Sequence, residues 1–185
     1  MPATADKLIT AKEFMEMPDP EDGTQQELVR GEIVSLPMPS YKCVECQAAI
    51  AYMLRHYAKT NRAGRVVTES GVRTEKNPDT VRGPDVAYWS AVSLPLDAVI
   101  EGYALVPPDL CVEVLSPSNT PKLIKQKIKE YLFNGTKVVW IVDPEDRSMK
   151  IYRSPLESRS LEEDAVLDGD ETLPGFTCRV SDLLS

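Results

Sequence analysis

Two short apolar runs on either side of a predicted helix constrain the fold of this chain more than any other feature. Residues 110–115 and 137–142 each have the length and the branched, apolar content of a buried β-strand. Between them, Thr120 is a candidate N-cap, Pro121 suits the first helical position, and Gly135 is a typical helix end. A strand, a helix and a second strand in this order indicate a mixed α/β fold.

The flanking segments predict the other elements. Residues 27–29 and 32–36 have the pattern of a hairpin with Gly31 at its turn, and a long helix capped by Ser40 continues to about residue 61. The remaining predicted elements are a short helix at 10–17, strands at 65–73 (bent at Gly71), 85–89 and 149–153, and a closing helix at 180–184. We expect one domain over residues 1–185, with a core at 24–153 and an acidic, loop-rich extension at 154–185.

Charge and composition narrow the range of functions. The net charge of −8 argues against a surface coated in nucleic acid, although residues 42–82 carry a local balance of +4 that permits one basic face. Residues 157–171 have a balance of −6. The single histidine, His56, excludes centres that need several imidazoles. No apolar leader is visible, so we expect a cytoplasmic protein whose four cysteines are reduced thiols. No apolar run is long enough to span a membrane, so we expect no membrane association.

Two acidic residues stand in strands that are otherwise apolar. In the run 110–115, Glu113 points to the same face as Cys111 and is the only charge. Burial of a lone carboxylate is costly, so Glu113 needs a cation, a metal or a proton, and an internal salt bridge would also satisfy it. Asp85 repeats the pattern ahead of the strand 86–89. Two carboxylates on neighbouring strands offer the oxygen ligands that Mg²⁺ prefers.

One lysine of the helix after Glu113 is turned towards the protein. On a helical wheel Lys127 lies between Leu123 and Tyr131, beside the apolar face, whereas Lys122, Lys125 and Lys129 fall on the opposite, solvent side. A lysine at this position can also extend outward to solvent. With two inward acids close in the chain, a role for Lys127 in a common site is the sharper hypothesis.

Several ordered motifs resemble a known nuclease family. They are Gly83-Pro84-Asp85-Val86, the segment 108–118 around Glu113, Lys127-x-x-x-Tyr131, the segment 139–144 and the hairpin segment 27–32. Together they make the chain similar to the Uma-type family of restriction endonucleases, a branch of the PD-(D/E)xK nuclease superfamily. The resemblance extends from about residue 24 to residue 152.

The resemblance implies a fold and a site. The fold would be a restriction-endonuclease-like core, with a mixed β-sheet flanked by helices and an N-terminal β-hairpin. Asp85 and Glu113 would be the ligands of Mg²⁺ or Mn²⁺, and Lys127 would supply the catalytic amine from the helix, since Leu115 stands where the superfamily usually has its lysine. Glu27 and Tyr131 would be accessory residues. The activity would be phosphodiester hydrolysis of nucleic acid, DNA above all, by a homodimer.

Other readings of the sequence stay open. Cys43 stands where the family often has a histidine, which favours the alternative of a catalytically inactive nuclease-fold module that binds or assists. Cys43 and Cys46 could be half of a zinc site or a redox pair, but a second such pair is missing. Ser116 and Ser118 lack the G-x-S-x-G surroundings of a nucleophile and are better explained as capping residues.

Overall fold

The computed structural model describes residues 7–184 as a mixed α/β fold. Its elements in chain order are α1 (Ala11–Glu16), β1 (Gln26–Val29), β2 (Glu32–Ser35), α2 (Tyr41–Thr60), β3 (Gly64–Thr68), β4 (Val72–Glu75), β5 (Thr80–Arg82), β6 (Val86–Ser90), β7 (Leu110–Val114), α3 (Pro121–Asn134), β8 (Val138–Asp143), β9 (Ser148–Tyr152), β10 (Ser158–Glu162), β11 (Val166–Asp168), β12 (Thr177–Arg179) and a closing 3₁₀ turn (Val180–Leu183). Among these residues no helix has the length and apolar character needed to cross a membrane.

A six-stranded sheet in the order β10-β9-β8-β7-β6-β3 forms the centre of the fold. Its central pair, β7 and β8, is parallel and is connected through α3, while the other neighbours in this sheet are antiparallel. The helix α3 starts at the Thr120 cap with Pro121 in its first turn and ends at Gly135, whose φ of 108° only glycine adopts readily. The predicted strand, helix and strand are therefore confirmed.

The two faces of this sheet have different contents. Leu110, Val112 and Val114 of β7 face a large apolar core that includes the buried stripe of α2. Cys111 points to the other face, where it packs against α3 through Ile128 in a smaller apolar cluster. The alternation predicted for residues 110–115 is thus observed, and it places Glu113 on the α3 side of the sheet.

A second sheet, in the order β2-β1-β5-β4, carries the N-terminal hairpin. Its turn at Arg30-Gly31 has positive φ at both residues, as a tight hairpin requires, and Leu28 pairs with Val81 of β5. Because β5 leads directly through Gly83 and Pro84 into β6, the chain passes from this sheet into the central one beside Asp85.

Two predictions of local structure are wrong. Residues 65–73 do not form one bent strand, because the backbone turns at Glu69, where φ is 56°, and the two halves join different sheets. Gly71 lies in the break, where a Cβ would overlap the ring of Tyr103. The segment after residue 154 is not loop-rich: it contains β10, β11 and β12, and Leu167 and Phe176 are buried in the same core as α2.

Candidate metal and phosphodiester site

Asp85 and Glu113 meet at the junction of β6 and β7. Val86 pairs with Val112 in antiparallel register, so the next position along each strand brings Asp85 opposite Glu113. Residues opposed in this way project to the same face of a sheet. The backbone N–H of Val114 donates to Oδ2 of Asp85 at 2.6 Å, which holds the Asp85 carboxylate beside the end of β7. The structure therefore brings the two predicted acids together.

The environment of Asp85 disfavours its negative charge. Burial and the nearby charge of Glu113 raise the pKa of Asp85 to about 7, although the Val114 N–H and the Lys127 ammonium act in the opposite direction. Among residues 7–184, the buried cations at this place form their ion pairs with other acids, not with Asp85. A carboxylate held in this way gains most from an added cation.

Lys127 is the buried lysine that the helical wheel predicted. Its side chain is 6% exposed, and its Nζ lies 2.9 Å from Oε2 of Glu113 and 3.0 Å from Oε1 of Glu27. Burial alone would lower the pKa of Lys127, but the charges of Glu113 and Glu27 outweigh it and raise the pKa above its usual value. Lys127 is therefore an ammonium at neutral pH, so it donates hydrogen bonds and does not act as a base.

Both residues named as accessory lie at the same place. The Tyr131 hydroxyl donates to Oε1 of Glu113 at 2.6 Å, one helical turn from Lys127. Glu27 reaches the site from β1 and is almost fully buried. Burial opposes the ionisation of Glu27, yet Lys127 and Arg82 keep its pKa below the usual value. Glu27 thus holds the Lys127 amine together with Glu113.

Two further charged residues of this network, Arg82 and Glu130, were not predicted from the sequence. Arg82, which is 2% exposed, donates to Oε2 of Glu27 at 2.7 Å and forms two bonds of 2.6 and 2.9 Å with Glu130. Glu130 lies three residues after Lys127, so the helical period that singled out Lys127 also places Glu130 near the inward face. Arg82 lies three residues before Asp85. Because no strand was predicted at Thr80–Arg82, the direction of the Arg82 side chain could not be inferred from the sequence.

The residues present fit a divalent cation. Asp85, Glu27, Glu113 and Glu130 are four carboxylates against the two cations Arg82 and Lys127, which leaves an excess of two negative charges in a largely buried network when all are ionised. Among the described residues 7–184, no group of three or more His, Cys, Asp or Glu side chains is arranged to hold a metal. Mg²⁺ commonly uses one or two carboxylates and keeps several waters, which suits a pair of acids.

The cysteine and serine alternatives receive little support. Cys43 and Cys46 are both buried, and their thiols donate to the carbonyls of Leu115 and Leu183 at 3.2 and 3.1 Å. Burial raises the pKa of Cys46 to about 12, which disfavours a reactive or metal-binding thiolate. Ser116 donates to Asn119 in the loop before α3, a local bond typical of a turn.

Comparisons with known proteins agree with this fold. The sequence model of the Uma2 family, described as "Putative restriction endonuclease", matches residues 11–181. A crystal structure of a "putative nuclease belonging to DUF820" from Anabaena variabilis superposes with a TM-score of 0.80 at 24% sequence identity, over 95% of this chain and 97% of that chain. No curated protein matches the chain at a significant level.

Proposed function

The chain belongs to the Uma2 family, and on that premise we propose that it is a metal-dependent endonuclease that hydrolyses phosphodiester bonds of DNA. The observation that carries the proposal is the opposed pair Asp85 and Glu113 with the Lys127 ammonium 2.9 Å from Glu113. Two carboxylates and an amine in one buried cluster are the groups that this reaction needs. A structural ion pair alone would not require Asp85, whose charge has no cationic partner within residues 7–184.

Each residue has a separate role in the proposed reaction. Asp85 and Glu113 would hold Mg²⁺ or Mn²⁺, which when bound polarises a phosphoryl oxygen and lowers the pKa of a bound water. Lys127 donates to the negative charge that develops on the phosphate, and its raised pKa keeps it charged for that purpose. Attack by water in line with the leaving oxygen forms one P–O bond as the bond to the 3′ or 5′ oxygen breaks. The attacking water gives up a proton to solvent, and the leaving oxygen takes one up from solvent.

Supporting residues keep this arrangement in place. Tyr131 occupies one oxygen of Glu113 and Lys127 lies against the other, which fixes the orientation of the carboxylate. Glu27 holds the Lys127 amine, and Arg82 connects Glu27 to Glu130 of the same helix. An arrangement whose supporting groups are themselves bonded stays close to the geometry that catalysis requires.

A cleavage assay tests the proposal. The wild-type protein is incubated with supercoiled plasmid, single-stranded DNA and RNA, with Mg²⁺, with Mn²⁺ and with EDTA. We expect nicking or cleavage of DNA with either metal and none with EDTA. Asp85→Asn is expected to abolish it, whereas Lys59→Ala, which changes an exposed lysine at the far end of α2, is expected to cleave like the wild type.

One observation favours a second candidate, a nuclease-fold module without catalysis. Cys43 takes the place of a family histidine, and its thiol is bonded to the Leu115 carbonyl. An inactive module has no need to retain a metal site. Titration of the protein with Mn²⁺ by calorimetry separates the two candidates, because absence of both Mn²⁺ binding and cleavage on all three substrates would refute the nuclease and support the module.

A further inference from the structure

A basic groove lies on the solvent side of α3, outside the cluster of Asp85, Glu113 and Lys127. Its volume is about 660 Å³, which is within the range of small-ligand sites. The walls come from α3, from β4 and from the hairpin turn at Arg30. Its charged lining consists of four cations (Arg30, Lys122, Lys125 and Lys129) and two acids (Glu75 and Glu130), and Thr74 and Phe133 also line it.

The positive charge of the groove has no structural explanation within residues 7–184. Lys122, Lys125 and Lys129 are exposed, and they take part in none of the ion pairs of these residues. Lys122 also lies in the first turn of α3, which has no acidic residue and where the helix dipole disfavours a cation. In a chain with a net charge of −8, these neighbouring cations form a local basic patch that suits an anionic ligand.

A buried hydroxyl in the wall lacks a partner. Thr74 is 8% exposed, and its Oγ1 is the one buried side-chain oxygen or nitrogen without a hydrogen bond among the described residues. A buried polar atom without a partner costs roughly 1–3 kcal/mol, so such atoms are rare and often mark a ligand contact. Thr74 thus adds a polar group to the β4 wall whose hydrogen-bonding capacity is not met by the described residues.

An exposed aromatic ring completes the groove. Phe133 lies in the last turn of α3 and 78% of it is exposed to solvent. The eight residues from Lys122 to Lys129 extend roughly 10 Å along the helix axis, so the ammonium groups form a track and not a single point of charge. A track of cations next to an exposed aromatic ring is the combination with which proteins bind single-stranded nucleic acid.

We propose that this groove binds a single-stranded segment of the nucleic-acid substrate, with its phosphates on the lysines and Arg30 and one base stacked on Phe133. The inference rests on the proposed function, because it assigns the path of the substrate next to the site of hydrolysis. Glu130 lines the groove and also bonds Arg82, which bonds Glu27 beside Lys127. A nucleic-acid strand in the groove would therefore lie next to Glu130, which is connected through Arg82 and Glu27 to the Lys127 amine.

Binding without catalysis tests the groove. Fluorescence anisotropy with a short labelled oligothymidylate in EDTA is measured over a series of salt concentrations. For Lys125→Ala/Lys129→Ala, we expect weaker binding and a salt slope reduced by about 1.4, because each phosphate contact of a single strand contributes about 0.7. Phe133→Leu is expected to weaken binding roughly 5- to 150-fold, the range of one lost stacking contact, and Phe133→Tyr should retain it.

Matched controls lie outside the groove. Lys59→Ala removes an exposed lysine of α2, and Tyr52→Leu removes an aromatic side chain that is 70% exposed on the same helix. Both are expected to bind like the wild type. If the groove variants bind as these controls do, the inference is wrong, and it is also wrong if a polyglutamate peptide competes as well as the oligonucleotide.

Cleavage is recorded separately, so that the two proposals fail in different ways. Loss of oligonucleotide binding in the groove variants supports the groove, whether or not the wild type cleaves DNA with Mn²⁺. Wild-type cleavage together with unaltered binding by the groove variants would overturn the groove and leave the nuclease assignment intact. Absence of cleavage with groove-dependent binding would instead count against the catalytic assignment alone.

Discussion

Replacement of Asp85 by Asn is expected to stabilise the metal-free protein at neutral and alkaline pH. The substitution keeps the size of the side chain and leaves an amide oxygen that can accept the N–H of Val114, as Oδ2 does now at 2.6 Å. It removes the negative charge that burial and Glu113 disfavour. The same substitution removes a proposed metal ligand, so the stability advantage of the variant should be largely cancelled when Mn²⁺ is added.

The magnitude follows from the pKa of Asp85, which is raised from 3.8 to about 7 in the folded protein. Between these values the folded state binds more protons than the unfolded state, so the wild-type free energy of unfolding falls as pH rises through this window. At about 1.4 kcal/mol for each pH unit, the loss at pH 8 reaches at most about 4 kcal/mol. Burial of the new amide group costs about 1 kcal/mol of this amount. We therefore expect the free energy of unfolding of Asp85→Asn to exceed that of the wild type by about 2–3 kcal/mol at pH 8.

Urea unfolding in EDTA, at a series of pH values from 4 to 8, measures this gain. The gain should disappear near pH 4, where wild-type Asp85 is already protonated. With Mn²⁺ at about 100 times its dissociation constant, the wild type should gain about 2.7 kcal/mol and the variant nothing. A variant that is less stable than the wild type at pH 8 in EDTA would refute the reasoning and make Asp85 a structural ion-pair partner.

Asp109→Asn is the matched control, and its expected change in stability at pH 8 has the opposite sign. Burial opposes ionisation of Asp109, but its bonds with Lys137 and Ser90 outweigh it and lower the pKa. The stability that Asp109 contributes is present above its unfolded pKa and is lost as pH falls through the lower, folded pKa. Asp109→Asn should therefore destabilise the protein at pH 8 and approach the wild type in acid.

Three further predictions concern the site and the assembly. Lys127→Ala should abolish metal-dependent turnover at saturating DNA while changing Mn²⁺ affinity little. Lys129→Ala should instead raise KM in a salt-dependent way. Equal losses of turnover in the two variants would contradict the assigned role of Lys127. Arg82→Ala should cost 3–5 kcal/mol in urea unfolding, roughly the penalty for buried carboxylates left unpaired at Glu27 and Glu130, and a cost near zero would contradict it. Light scattering at micromolar protein should give the mass of a homodimer, and a monomer alone would exclude it.

Much of the fold was predictable because it depends on local chemistry. Some signals depend on only a few neighbouring residues and can therefore be recognised in the sequence. Examples are the helix cap at Thr120, the helix end at Gly135 and the alternation of buried faces in β7. The inward position of Lys127 follows from the 3.6-residue period of a helix with one apolar face, and the structure confirms it. The family resemblance could be stated for the same reason, since its motifs are ordered along the chain.

Other features depend on contacts between distant segments. The break of residues 65–73 into β3 and β4 depends on which sheet accepts each half, and Gly71 is required by the ring of Tyr103, thirty-two positions further on. The strands after residue 154 are short and carry many charges, so their pattern is weak. They form because Leu161 and Leu167 pack into the same core as α2. This contact joins segments that are far apart in the sequence, so a short stretch of sequence does not reveal it.

The sequence by itself determined which residues carry the candidate chemistry: one acid that precedes an apolar run, one acid within another, and one inward lysine. Only the tertiary structure decided how their charges balance, because Arg82 and Glu27 arrive from β5 and β1, more than thirty residues away from Glu113 along the chain. Electrostatic energy depends on distance in space and on burial, and neither is a property of sequence position. For this reason the inward positions of Asp85 and Lys127 could be anticipated, whereas the excess of negative charge in their network became visible only in the folded chain.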